Sequence, residues 1–258
     1  MKLAVVSDIH GNLPALEAVL AEIAREGVDQ VVNLGDIASG PLWPAETVAR
    51  LRVLGWPTIR GNHERQVLGD RAVMGASDAF TADRLDGAAR AWFAGLPATL
   101  RLAGGAVFAC HGTPASDHDY LLETVTPNWG LHGALGARAA TGAEVDARLG
   151  DLAAEVVLCG HSHMPRVAWS ADRLVVNPGS LGLPGFDETR PHFHVIEAGS
   201  PHARWALLAR TPAGWQAQLR CTPYDWTAAA RKAEAEGRGE WADVLATGRV
   251  GRTEDTPP

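Results

Sequence analysis

Six short apolar segments recur along the first 180 residues, and each is continuous rather than alternating with polar residues. They are LAVVS from Leu3, QVVNLG from Gln30, PTIRG from Pro57, AVFAC from Ala106, EVVLCG from Glu155 and LVVNPG from Leu174. Continuous hydrophobicity over so few residues is typical of strands that are buried on both faces. The pattern therefore predicts the sheet of an α/β fold.

Helical spacing separates several of these segments. After Asn12, a good N-cap, apolar residues repeat at helical intervals until Gly27. Pro14 falls in the first turn of this predicted helix, where the missing N–H is tolerated. Further helices are predicted over 44–54, 78–94 and 143–153.

The character of the sequence changes from about residue 193 onward. FHVIE, ARWALLAR and WQAQLRCTPYD predict antiparallel strands, and 225–236 and 240–246 predict helices. Two arrangements are open for this part, a second sheet packed on the first or a small appended domain. We divide the chain into a core of about 1–190, C-terminal strands and helices over about 191–248, and a frayed tail over about 249–258, all in a single domain.

The charge balance limits the classes of partner. The 23 basic and 30 acidic residues give a formal charge of −7 among 258 residues, which disfavours a polymeric nucleic acid held by a basic face. A small phosphorylated substrate remains compatible, because bound cations reverse the local sign of the field.

Neither a membrane span nor a disulfide framework is expected. No apolar run approaches the roughly 20 residues of a membrane helix, and the N-terminus leads directly into a strand pattern without a signal-like segment. Cys110, Cys159 and Cys221 are sparse and odd in number, which favours buried free thiols. We expect a cytoplasmic protein.

Side chains of the metal-ligand type follow five of the six apolar segments. In an open α/β sheet the ligand site lies beyond the carboxyl ends of the strands, so these residues are predicted to meet at one edge. The motifs are SDIHGN with Asp8 and His10, GDIASG with Asp36, GNHE with Asn62 and His63, CHGTP with His111, and GHSHMP with His161 and His163.

The spacing within two of the motifs agrees with a metal site. Residues two apart in an extended segment point the same way, so Asp8 can converge with His10, and His161 with His163. Imidazole combined with carboxylate suits a divalent transition metal. One ion needs fewer ligands than these motifs supply, so two adjacent ions with a bridging carboxylate are predicted.

The ordered blocks D-x-H, G-D, G-N-H-E, H-G and G-H-S-H resemble those of the calcineurin-like metallophosphoesterase superfamily over residues 1 to about 190. The later segments NPGS, ARWALL and YDW resemble its small bacterial members. The resemblance implies a four-layer α/β/β/α sandwich with a dinuclear metal site at the carboxyl ends of the sheet strands.

The resemblance also implies a role for each residue of these blocks. A metal-bridging hydroxide would attack phosphorus, and His63, off the metals and oriented by Asp36, would be the general acid. Mn²⁺ is the metal we expect first, although the ligands also suit Fe, Zn, Co or Ni. The implied ligands are Asp8, His10 and His163 for one ion, Asn62, His111 and His161 for the other, and Asp36 as the bridge.

The substrate is not specified by these motifs. Relatives act on monoesters, small diesters, dinucleoside polyphosphates and phosphoproteins with the same ligands. The acidic composition favours a small phosphodiester or nucleotide, with a phosphomonoesterase or protein phosphatase as the alternative. A non-catalytic partner-binding scaffold is the alternative from another class, and nothing in the sequence sets the oligomeric state.

Several other residues have two interpretations. Arg60 either approaches a phosphate or forms a salt bridge, and Asn177 to Ser180 either line the site or form a turn. His118 and Tyr120, in the 113–150 segment, either shape the substrate site or are structural. The remaining residues expected to be structural or buried are His132, His192, His194, His202, Trp43 and Trp129.

Overall fold

The computed structural model describes residues 1–127 and 136–253. Trp129, His132 and the last residues of the predicted tail, from Glu254, lie outside this part of the chain. The strands are β1 (Lys2–Val6), β2 (Gln30–Asn33), β3 (Thr99–Leu102), β4 (Val107–Cys110), β5 (Glu123–Val125), β6 (Ala137–Ala139), β7 (Val156–Leu158), β8 (Arg166–Ser170), β9 (Arg173–Asn177), β10 (Gly185–Glu188), β11 (His194–Glu197), β12 (Ala203–Thr211) and β13 (Gly214–Thr222). The α-helices are α1 (Leu13–Glu26), α2 (Pro44–Leu54), α3 (Asn62–Val67), α4 (Ala76–Ala82), α5 (Gly87–Gly95), α6 (Gly142–Leu149), α7 (Trp226–Ala235) and α8 (Gly239–Thr247).

Two larger sheets form the centre of the fold. The first has the order β13-β12-β1-β2, and the second has the order β3-β4-β7-β9-β8. β1 and β2 are parallel, as are β4, β7 and β9, whereas β3 and β8 are antiparallel edge strands of the second sheet. The carboxyl ends of the parallel strands therefore carry the turns in which the sequence places its candidate ligands.

The buried residues divide into layers that follow the pleat of β1. Ala4 and Val6 belong to a cluster with helix residues, whereas Leu3 and Val5 belong to a cluster with strands of the second sheet. On the far face of the second sheet, Val157 packs with side chains of α6. The order is thus helices, sheet, sheet, helix, and the predicted four-layer α/β/β/α sandwich is confirmed.

The C-terminal strands differ from both arrangements considered for them. β12 pairs antiparallel with β1, with Ala4 opposite Leu207, and β13 extends the same sheet. β12 and β13 therefore complete the first sheet, whereas β11 pairs with β10 in a separate two-stranded sheet. α7 and α8 follow as a pair, and Trp241 of α8 is part of a buried cluster to which Trp43 also packs.

The predicted helices and strands are largely present, with three corrections. The 57–61 segment forms only a single parallel bridge, between Asn33 and Thr58. The helix predicted over 78–94 is two helices, because Asp86 accepts a hydrogen bond from the N–H of Ala89 and starts α5 anew. The helix predicted over 143–153 ends at Leu149, since the next residue, Gly150, has a φ of 54°.

The described residues also bear on the predictions of buried free thiols and of no membrane span. Cys110 and Cys159 are buried free thiols, as predicted, whereas Cys221 is exposed. Within the described residues, no helix is both long and apolar enough to cross a bilayer.

Candidate metal centre

Five turns meet at the carboxyl edge of the two sheets and bring the candidate ligands together. Two of the turns follow β1 and β2, two follow β4 and β7, and the fifth opens α3. Three groups of ligand atoms form, in each of which all atoms lie within 4.8 Å of one another. The groups are Asp8, His10 and His163; Asp36, His111 and His161; and His10, Asp36 and His63.

The first group brings two imidazole rings together, with their centroids 4.9 Å apart and their planes tilted by 56°. The Nε2 atoms of His10 and His163 are 3.1 Å apart. Each ring donates from Nδ1 to a backbone carbonyl at 2.7 Å, that of Ser39 for His10 and that of Leu183 for His163. This second hydrogen bond fixes the tautomer, so that both Nε2 lone pairs point into the group, as in metal-binding histidines.

The carboxylate of Asp8 carries a buried oxygen with no donor. Asp8 is completely buried, and among the described residues its Oδ1 has no hydrogen-bond partner. This oxygen lies 3.5 Å from Nε2 of His163 and 3.9 Å from Nε2 of His111. A buried anionic oxygen without a partner is costly, and a cation at this point would satisfy it. The residues present therefore fit a metal ion.

The second group is oriented in the same manner. His111 donates from Nδ1 to the carbonyl of Leu34 at 2.7 Å, and its Nε2 lies 3.1 Å from Oδ1 of Asn62. The Asn62 amide nitrogen donates to Oε1 of Gln66 at 3.2 Å, which directs Oδ1 towards the group. Donors of three chemical types, imidazole, amide oxygen and carboxylate, thus converge here.

His161 contributes to this group through its other nitrogen. Its Nε2 donates to the carbonyl of His118 at 2.9 Å, which leaves Nδ1 as the nitrogen available to a metal. His161 thus lies in the second group and His163 in the first, so the two histidines of GHSHMP fall in different groups.

Asp36 is the carboxylate that lies between the groups. It belongs to two of them, with Oδ2 3.1 Å from Nε2 of His111. Its Oδ1 accepts a hydrogen bond from the N–H of His63 at 3.0 Å. A Cβ on Gly61 would come within 2.1 Å of Oδ1, so only glycine permits this approach.

The protonation states follow from burial and from the neighbouring charges. Burial and the neighbouring histidines lower the pKa of His10 and of His161 to about 3, so both are neutral ligands at neutral pH. Burial alone would raise the pKa of Asp36, but His111 and His63 outweigh it and hold this pKa well below its usual value. Burial lowers the pKa of His111, yet Asp36 and Asp8 raise it to about 9 in the metal-free protein.

The backbone at five of the proposed ligands is left-handed and not extended. The prediction that residues two apart in an extended segment point the same way is therefore wrong in its premise, although Asp8 and His10 do converge. Left-handed geometry in a residue with a Cβ costs about 1–2 kcal/mol each, and such strain is typical of functional sites. The φ values are 55° for Asp8, 51° for His10, 53° for Asp36, 65° for His161 and 56° for His163.

A family model described as the calcineurin-like phosphoesterase superfamily domain matches residues 1–200 of the 258. The chain belongs to the calcineurin-like phosphoesterase superfamily. This finding confirms the resemblance of the five sequence blocks.

Solved structures with the same fold cover almost the whole chain. A metallophosphoesterase from Sphaerobacter thermophilus is 24% identical, with 96% of this chain and 100% of that chain covered and a TM-score of 0.70. Protein PH1004 from Pyrococcus horikoshii is 21% identical, with 96% and 98% covered and a TM-score of 0.69. At 24% and 21% identity, these similarities show a shared fold and nothing further.

Curated relatives match over shorter stretches. Protein MJ0912 of Methanocaldococcus jannaschii is 42% identical over 71 residues, which are 28% of this chain and 29% of that protein. The phosphodiesterase YfcE of Escherichia coli is 40% identical over 77 residues, which are 26% of this chain and 42% of that protein. Less than half of either relative is therefore matched.

Within this phosphoesterase domain, the orientation of His63 differs from the prediction. Its Nδ1 donates to Oδ1 of Asp78 at 2.7 Å, whereas its Nε2 is 4.0 Å from Oδ2 of Asp36. The same Asp78 oxygen accepts the hydroxyl of Ser39 at 2.8 Å. Asp78, on α4, is therefore the residue that holds the ring, and it was missed because nothing in the sequence distinguishes it from other carboxylates.

The protonation of His63 reflects these two carboxylates. Burial lowers its pKa, but Asp36 and Asp78 outweigh burial and raise it to about 10. The imidazole is therefore cationic at neutral pH in the metal-free protein. Its side chain is 26% exposed, so it lies at the rim of the cluster.

Glu64 is a second residue whose contribution the sequence did not reveal. Its carboxylate accepts the N–H groups of Asp36, Ile37 and Gly61 at 2.7–2.9 Å. It thereby ties the turn after β2 to the turn that opens α3. Burial and the nearby Asp36 raise the pKa of Glu64 to about 7.

Tyr120 and the NPGS turn, for which the sequence left two interpretations open, both make structural hydrogen bonds beside the proposed ligands. The Tyr120 hydroxyl bonds to Nε2 of His194 at 2.9 Å, and its ring lies 5.0 Å from that of His161. Ser180 donates to the carbonyl of Asp8 at 2.7 Å, and Asn177 donates to that of Gly160 at 2.9 Å. NPGS is thus a buried turn that braces two ligand-bearing turns.

Proposed function

We propose that this chain is a metal-dependent phosphoesterase that hydrolyses a small phosphodiester or a nucleotide. The observation that carries the proposal is the position of Asp36, whose carboxylate is within reach of ligand atoms in both halves of a buried cluster. One divalent ion would be held by Asp8, His10 and His163, with Asp36 shared. The ligands proposed for the second ion are Asn62, His111 and His161.

Bound divalent cations supply Lewis acidity towards a phosphoryl oxygen and lower the pKa of a coordinated water. Neutral imidazoles and anionic carboxylates suit transition ions, and Mn²⁺ is our first choice ahead of Fe, Zn, Co and Ni. The buried glycine turns around the cluster keep these side chains in place before any ion binds.

His63 is the residue we propose to donate a proton to the leaving oxygen. Its Nδ1 is held by Asp78, so the proton that it donates is the one on Nε2, on the side of the cluster. A cationic imidazole at the rim can reach a departing oxygen while the phosphoryl group lies against the ligands. This role depends on the ring being fixed, which is the contribution of Asp78.

The charge of the chain supports a small substrate. A formal charge of −7 gives no long basic surface for a polymer, so a nucleic-acid substrate is disfavoured. Phosphomonoesters and phosphoproteins would use the same ligands and are the alternatives that an assay must separate. A non-catalytic scaffold would not need the proposed ligands, yet each of them is retained.

The test is a panel of phosphate monoesters, phosphodiesters and phosphopeptides assayed with each of the five metals. We expect metal-dependent turnover, highest on small diesters or nucleotides, and its loss in Asp36→Asn. Asp29→Asn is the matched control, since Asp29 contacts the N-terminal residues at the surface. A metal-loaded protein that turns over no ester would reject the proposal in favour of the scaffold.

A further inference from the structure

A cavity of about 320 Å³ lies beside the second group of proposed ligands. Arg60, Thr99 and His111 are among the residues that line it. Arg60 stands two residues before Asn62, and Thr99 pairs with Cys110, the residue before His111. The walls of the cavity are therefore continuous with the segments that carry two of the ligands.

The size of the cavity indicates a molecular ligand. Pockets that hold small molecules have volumes of about 300–1,000 Å³, whereas a water occupies about 30 Å³. The cavity thus has room for a phosphate group and part of the moiety that carries it.

Arg60 brings an uncompensated positive charge to this cavity. Within residues 1–127 and 136–253, no carboxylate lies at ion-pair distance from its guanidinium, so the salt bridge considered from the sequence is not found there. Its backbone N–H bonds to the carbonyl of Pro97 at 2.9 Å, which fixes the base of the side chain. A half-buried cation without a counter-charge is unfavourable unless an anion joins it.

The one carboxylate among the lining residues does not offset this charge. Asp117 accepts two hydrogen bonds from Arg65, at 2.8 and 2.9 Å. Because Asp117 is already paired, it leaves the charge of Arg60 available to an anion in the cavity.

The remaining wall is a loop that is already folded. The N–H of Thr113 donates to the carbonyl of Ser116 at 2.8 Å, and the Ser116 hydroxyl accepts the N–H groups of His118 and Asp119 at 3.2 Å. A Cβ on Gly112 would come within 2.5 Å of the Asp119 carbonyl, so the loop is folded tightly. A preformed wall lowers the entropy lost when a ligand binds.

We propose that this cavity is a subsite for a second phosphate group of the substrate, bound by Arg60 while the scissile phosphate lies at the metal cluster. The assignment rests on the proposed phosphoesterase function and narrows its substrate to esters that carry two phosphate groups. The planar guanidinium can donate two parallel hydrogen bonds to phosphate oxygens, which makes arginine suited to this task.

The first experiment compares two esters with the same leaving group. The p-nitrophenyl ester of thymidine 5′-phosphate has one phosphate, and its 3′-phosphorylated form has two. We expect wild type to prefer the second ester in kcat/KM by about tenfold or more, the range for a hydrogen bond to a charged group. Arg60→Gln should lose this preference through KM and keep its rate on the first ester within about twofold.

Controls separate the subsite from general effects of charge. Arg101→Gln makes the same change on β3 at an exposed arginine that bonds to backbone carbonyls, and it should keep the wild-type preference. Melting temperature and metal content are measured on each variant. Equal losses on both esters in Arg60→Gln would place Arg60 at the scissile phosphate and overturn the subsite.

The second experiment needs no turnover. Calorimetry of the Mn²⁺-loaded proteins with inorganic phosphate and pyrophosphate gives the advantage of a second phosphate group in binding alone. Arg60→Gln should reduce this advantage about tenfold, and an unchanged ratio would overturn the proposal. If wild type hydrolyses neither ester, the proposed function fails, and this ratio alone decides whether the subsite exists.

Discussion

Replacing Asp78 with asparagine isolates the charge that holds His63. One oxygen, Asp78 Oδ1, accepts both from Nδ1 of His63 at 2.7 Å and from the Ser39 hydroxyl at 2.8 Å. The asparagine amide keeps an acceptor oxygen of the same size but removes the negative charge. The geometry is retained while the charge assistance is lost.

The magnitude follows from the difference between the two kinds of hydrogen bond. A bond to a charged group contributes about 1.5–3 kcal/mol, and a neutral one about 0.5–1.5 kcal/mol. The loss of roughly 1–1.5 kcal/mol corresponds to about a tenfold lower rate when the leaving oxygen needs the proton. Because Asp78 raises the pKa of His63, Asp78→Asn should also move the alkaline limb of the kcat profile to lower pH.

The assay measures kcat and KM on an alkyl phosphodiester and on a p-nitrophenyl diester, across pH, at fixed metal loading. We expect the tenfold loss on the alkyl ester alone, because nitrophenolate departs without a proton. Asp83→Asn is the matched control, since Asp83 caps the same helix but pairs with Arg71 at the surface. Equal losses on both esters, or an unmoved alkaline limb, would refute the role of Asp78.

Further predictions concern the metals and their ligands. Elemental analysis should find about two ions per chain, and chelation should abolish turnover and lower the melting temperature; full activity of metal-free protein would contradict this. Asp36→Asn should reduce the content of both ions and His10→Ala mainly one, whereas an identical single loss in both would exclude a bridge. His63→Ala should keep both ions and lose about 10²–10⁴ in rate on alkyl esters, with a clearly smaller loss on nitrophenyl esters. Metal affinity should rise with pH, because His111, with a pKa of about 9, must release its proton to bind a metal ion. Calorimetry in buffers of different ionisation enthalpy measures this proton release. A metal affinity that does not change with pH would contradict the prediction.

Many of the strands and helices could be predicted, because they depend on residues that are close together in the sequence. The strand segments are recognisable by their continuous apolar residues. α1 is recognisable by the helical period of its apolar residues and by its N-cap, Asn12. Strand ends that carry polar ligands at one sheet edge follow from these assignments. The assignment of Asp36 as the bridge, by contrast, comes from the resemblance of the five sequence blocks to the superfamily.

The remainder depends on contacts between distant parts of the chain. β12 pairs with β1 over roughly 200 intervening residues, and no local pattern encodes that choice. Asp78 on α4 reaches His63 on α3, and no local pattern pairs these two residues. Side-chain partners of this kind follow from packing, which a single sequence does not display.

The left-handed backbone at five of the proposed ligands bears on protein engineering. Glycine at Asp36, with its φ of 53°, would relax the backbone by about 1–2 kcal/mol, and it would delete the carboxylate that joins the two halves. Selection of variant libraries for thermal stability alone should therefore enrich glycine at these turns, and the proposed metal ligands would be lost. A designer who grafts this centre onto another scaffold must reproduce the turns first, because their left-handed backbone sets where each ligand atom lies.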